Sequence, residues 1–101
     1  MTERSWVYVI EADAAVDAVV RILNGFIVQD VMIEDLVLSR TVNILTLRVG
    51  TGALDEAKAE YIRAKLRTML IVRGVSLGWR ASPHPIHDRA RYMAEMGQPA
   101  G

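Results

Sequence analysis

The chain has 101 residues, 51% hydrophobic and 24% charged, a composition that excludes an intrinsically disordered protein and favours one globular domain. Twelve basic residues balance twelve acidic ones, which removes the basic surplus of a dedicated nucleic-acid binder. Cysteine is absent, so disulfides, thiolate zinc sites and a cysteine nucleophile are excluded.

The first segment, MTERSWVYVIEAD, has charges on both sides of a short apolar run and no signal-peptide cleavage pattern. No apolar run approaches the roughly 20 residues of a membrane span. The expectation is a cytoplasmic protein. Within this segment, residues 5–11 (SWVYVIE) are β-branched and aromatic and predict a first strand. Asp13 then offers an N-cap, and Val16, Val19, Val20 and Leu23 share one helical stripe that Phe26 and Ile27 extend. Gly25 invites an early helix end. An end there would leave an unbroken strand from Phe26 to Arg40, about three times the usual 5–6 residues. Running the helix over 13–29 removes the difficulty and costs about 1 kcal/mol for an interior glycine. Gly25 then has a second use, close packing of a neighbouring element.

Residues 32–40 (MIEDLVLSR) and 44–50 (ILTLRVG) read as two strands joined at 41–43, with Asn43 as turn residue, which predicts an antiparallel hairpin. Thr51-Gly52 opens the next connection. Residues 54–69 (LDEAKAEYIRAKLRTM) predict a second helix with Leu54, Ala57, Tyr61, Ile62, Leu66 and Met69 near one face. Its acidic start and basic end match the helix dipole. Residues 70–80 give a fourth strand in which Val75, Leu77 and Trp79 alternate with Gly74, Ser76 and Gly78. The domain therefore spans 1–80, and 81–101 form a Pro-containing tail with room for one short helix.

The order β-α-β-β-α-β predicts an α+β, ferredoxin-like sandwich: a four-stranded antiparallel sheet with two helices on one face. Two helices cover only one side. With Val7 and Val9 opposite Trp6, Tyr8 and Ile10, the other side is expected to meet a partner or the tail.

Over residues 5–80 the pattern VYVIEADAAVDAVVRILNGFIVQDVMIEDLVLSRTVNILTLRV followed by LDEAKAEYIRAKLRTMLIVRGVSL resembles the ACT domain family. It is most similar to the small regulatory subunits of acetolactate synthase. The resemblance implies a non-catalytic regulatory module of branched-chain amino-acid biosynthesis that forms a homodimer and modulates a large thiamine-dependent catalytic subunit. The chain itself then carries no cofactor; thiamine diphosphate, flavin and magnesium belong to that partner. It also implies a small amino-acid effector bound at the first strand–helix turn. The matching residues are Ala12, Asp13, Ala14 and Ala15, with Asp30 where a glycine commonly follows the helix. The family's Asn-x-x-Gly turn is replaced, with Ala12 for Asn and Ala15 for Gly. A Cβ at Ala15 crowds a ligand, and Asp13 or Asp30 pointing inward repels a carboxylate.

Other candidates are weaker. Asp13 serves either an effector amine or the helix cap. Asp30, Glu34 and Asp35 form an acidic patch that suits a cation or plain solvation. His84, His87 and Asp88 have metal-ligand spacing only on a helix, Pro85 interrupts them, and no third ligand is placed, so no metal is expected. Gly50-Thr51-Gly52 lacks the rest of a phosphate loop. No serine lies in a nucleophile elbow. Arg40, Arg48, Arg73 and Arg80 lie on strands, but the aromatic signature of an RNA-binding sheet is missing. Two alternatives to the regulatory subunit stand: an oligomerisation module without ligand binding, and a dimeric-barrel enzyme using a tail histidine.

Overall fold

The computed structural model describes residues 3–80. Strand β1 (Arg4–Asp13), helix α1 (Ala18–Ile27), strands β2 (Ile33–Arg40) and β3 (Ile44–Leu54), helix α2 (Glu56–Arg67) and strand β4 (Val72–Arg80) follow in chain order. The sheet order is β2-β3-β1-β4 with every pair antiparallel. This is the expected ferredoxin-like arrangement. The tail helix and the residues His84, His87 and Asp88 lie outside the described residues.

Alternation along β1 and β3 builds the core. Tyr8 pairs with Val49, Ile10 with Leu47 and Ala12 with Leu45, and these six side chains are buried on the helix side. Ala18, Ile22 and Phe26 of α1 and Ala59, Ile62 and Leu66 of α2 close over them. Each fully buried Leu, Ile or Phe contributes about 1.5–3 kcal/mol. Phe26 meets Tyr8 edge-on, with ring centroids 4.9 Å apart.

The first helix starts later than its sequence suggests. Asp13 is not its N-cap: the residue still pairs with Ile44 in the ladder, and its N–H donates to the Ile71 carbonyl at 2.8 Å. The cap is Asp17, whose side chain makes no hydrogen bond to the helix backbone. The apolar stripe is rotated accordingly. Val16, Val20 and Ile27 are exposed, and Ala18, Ile22 and Phe26 face the core. The far end agrees with expectation, because Gly25 is interior to α1. A Cβ there would stand 3.0 Å from Leu66 Cδ2 and 3.4 Å from Met69 Cε, so the glycine lets α1 and α2 approach. Val31 N–H donates to Phe26 O at 3.2 Å and Asp30 N–H to Ile27 O at 2.9 Å, with Asp30 at φ 60°. That is the left-handed helix closure usually given to glycine.

Gly50-Thr51-Gly52 is strand, not loop. β1 holds a bulge between Ser5 and Val7, which takes Trp6 out of the β1–β3 ladder. Trp6 N–H donates instead to Thr51 Oγ1 at 3.3 Å, and its indole donates to Leu54 O at 3.0 Å. These bonds carry β3 on to Leu54, where a helical residue was expected. Asp55 then caps α2 by accepting from Lys58 N–H at 2.8 Å. Tyr61 is half-exposed, and Ala57 also lies outside the buried face.

The sheet side without helices is mixed rather than apolar. Val7, Val9 and Val37 share it with Arg48, Thr46, Ser76 and a sheet-spanning ion pair. Arg80 of β4 reaches over β1 and β3 to Asp35 of β2 at 3.0 Å, with Glu34 at 3.8 Å. The crossing point is Gly50, where a Cβ would stand 2.5 Å from Asp35 Oδ1 and 2.8 Å from Arg80 Nη2.

Candidate functional site

The β1–α1 turn sits at one end of the sheet, held from two sides. Ala14 N–H donates to the Asn43 carbonyl of the β2–β3 turn at 3.2 Å, and Ala15 N–H to Asp13 O at 2.8 Å. The antiparallel hairpin returns Arg40 to this same end, paired with Leu45 on the helix side of the sheet. The result is a cavity of about 300 Å3 lined by Ala14, Ala15, Val16, Val19, Arg40 and Leu45.

The residues singled out in the sequence divide here. Ala14 and Ala15 line the cavity. Ala12 is fully buried, its side chain in the core beneath the turn. Asp13 is engaged by Arg73 Nε at 2.6 Å. Asp30 lies at the other end of α1, ~15 Å away at 1.5 Å per residue, and is not brought to the turn. Glu34 and Asp35 face Arg80. Among the described residues no group of three or more His, Asp or Glu side chains is placed to hold a metal.

The four strand arginines do not make a basic face. Arg40 lies on the helix side, Arg48 on the opposite side, and Arg73 and Arg80 are each paired with carboxylates. Val16, Val19, Arg40 and Leu45 are the lining residues that the sequence reading missed. The signal was present, since a four-stranded sheet of this topology places the β2–β3 turn beside the β1–α1 turn.

A second hollow of about 420 Å3 lies between α1 and the α2–β4 turn, lined by Arg21, Asn24, Met69, Leu70 and Ile71. Arg21 is paired there with Asp17 at 3.3 Å.

The ACT-like domain family model matches residues 2–84. The chain belongs to the ACT-like domain family. Solved structures share the fold. The ACT domain of GTP pyrophosphokinase from Chlorobium tepidum aligns over 76% of this chain and 100% of that one, with TM-score 0.68 and 19% identity. The C-terminal domain of MgtC from Mycobacterium tuberculosis aligns over 82% and 95%, with TM-score 0.64 and 15% identity. A homoserine dehydrogenase from Thiobacillus denitrificans aligns over 79% of this chain and only 18% of its own length, with TM-score 0.69 and 14% identity. At these identities the likeness is one of fold. No curated protein matches the sequence. ACT domains are regulatory ligand-binding modules, and the expected family is thereby established at that level. Among the described residues no helix is long and apolar enough to cross a membrane.

Proposed function

We propose that this ACT-like chain is a non-catalytic regulatory subunit, works as a homodimer and answers to a small effector at the β1–α1 turn. The observation that carries the reading is the cavity at that turn, which joins a family-typical position to a cationic side chain, Arg40. The effector acts by binding one state of the assembly better than another.

The dimer reading rests on an apolar flank. Edge strand β2 exposes Leu36 by 41%, Val37 by 58% and Leu38 by 48%. On α1, Val20 and Ile27 are 70% and 63% exposed. At 3.6 residues per turn they lie away from Gly25, which packs on α2, and so toward β2. An unpaired edge beside an apolar helix flank suits a second copy related by a twofold axis.

The partner we favour is a large thiamine-dependent enzyme of acetolactate synthase type, on the pattern of the sequence over residues 5–80. The oligomerisation module without a ligand has one observation in its favour: the amides of Ala14 and Ala15 are already bonded within the protein. The dimeric-barrel enzyme drew on tail histidines outside the described residues. The full chain used as bait in its native host, with mass spectrometry of what it retains, tests the reading. The expected result is a large thiamine-dependent synthase whose turnover changes severalfold on adding the chain. Recovery of no such enzyme, or an unchanged turnover, contradicts it.

A further inference from the structure

We propose that the cavity beside Arg40 takes a small apolar carboxylate that carries no ammonium group. The inference rests on the reading of this turn as the effector site, and it narrows the ligand class.

Charge decides the sign. Two carboxylates flank the turn, and each is engaged by its own arginine: Asp13 with Arg73 at 2.6 Å and Asp17 with Arg21 at 3.3 Å. Arg40 takes part in none of the ion pairs among the described residues. The uncompensated charge at the cavity is therefore positive. A ligand carboxylate meets a planar two-pronged donor there. A ligand ammonium meets no free carboxylate and is repelled by the guanidinium.

The backbone points the same way. The N–H groups of Ala14 and Ala15 are satisfied within the protein, and Arg40 is the one charged donor among the lining residues. The other five lining residues, Ala14, Ala15, Val16, Val19 and Leu45, present only hydrocarbon side chains. The volume of about 300 Å3 stands at the low end of the roughly 300–1,000 Å3 of small-molecule sites. A short hydrocarbon chain ending in a carboxylate matches lining, size and charge together.

The test is an amide-detected NMR titration of the full chain with 3-methylbutanoate, valine and isobutylamine, three probes that differ in the charged group on a similar hydrocarbon. The expected result is saturable change at residues 14–19, 40 and 45 with 3-methylbutanoate. Valine is expected to bind at least tenfold more weakly and isobutylamine not to bind. Arg40→Gln should weaken 3-methylbutanoate at least tenfold. Arg48→Gln, on the opposite sheet face, should leave it unchanged, and the amide spectra of both variants report their folding. Valine binding at these amides as tightly as 3-methylbutanoate, or more tightly, overturns the ligand class and leaves the effector site standing. Binding of 3-methylbutanoate that ignores Arg40→Gln overturns the assignment to Arg40. No response at the turn to any probe overturns both the ligand class and the effector site, while the partner capture still decides the regulatory role.

Discussion

Tyr8 shows how one side chain ties the two layers together. Its ring lies fully buried against Phe26, and its hydroxyl donates to the Ala59 carbonyl of α2 at 2.8 Å. Burial pushes the phenol well above its usual range, and the negative charge of Glu60 adds to the rise. An unfolded tyrosine ionises near pH 10. A folded group with a raised value favours the native state fully below that pH. The native state then loses this support as pH climbs, because the unfolded chain sheds the proton first. Tyr8→Phe should cost about 1 kcal/mol at pH 7, the net worth of one hydrogen bond. Urea unfolding at pH 7 and pH 11 checks this: the gap between wild type and variant is expected to shrink at pH 11. An unchanged gap contradicts the account. Asp13 marks the limit of sequence reasoning at this scale. Its residue type suits a helix cap, but the ladder to Ile44 and a partner 60 positions away, Arg73, decide its place. No local preference carries that information.

Among the elements, α1 was legible in its closure but not in its start, its length or its face. The choice of an interior Gly25 followed from strand-length limits, and contact with Leu66 and Met69 explains it physically. The stripe through Val16, Val20 and Ile27 looked equally apolar, and only the layer beneath α1 selects Ala18, Ile22 and Phe26. Gly25→Leu should overpack the α1–α2 contact and cost about 1–3 kcal/mol, read from the denaturation midpoint. A midpoint equal to wild type would mean that the helices are not held that close. The expected strand 44–50 stops short of the observed β3 because Thr51-Gly52 has loop composition. The bulge at Trp6 and the Thr51 hydroxyl keep it in the sheet. The strand also needs Gly50 to be bare, since the Arg80–Asp35 bridge passes over it. A local reading of a glycine pair cannot foresee a salt bridge between two edge strands.

At the scale of the whole molecule, the chain order of strands and helices followed from hydrophobic periodicity and strand-length limits, and the two-layer arrangement from that order. The surfaces did not. Val7 and Val9 pointed to an apolar far side, yet that side is shared with Arg48, Thr46 and the Arg80 bridge. The stronger demand for a partner comes from the lateral flank of β2 and α1, where exposed Leu36, Val37, Leu38, Val20 and Ile27 stand beside an open edge. In the proposed dimer, pairing of β2 with β2 of a second copy would satisfy the free backbone groups of the edge and bring Leu36, Leu38, Val20 and Ile27 on the helix side, and Val37 on the other, against the partner.

The mass of the full chain in solution, measured by light scattering across micromolar to millimolar concentration, tests this most directly. The expected result is twice the chain mass for the wild type, and the chain mass for Val37→Lys/Leu38→Lys with its far-ultraviolet circular dichroism retained. A wild type that stays at the chain mass throughout, or a dimer that both lysines leave intact, would contradict it.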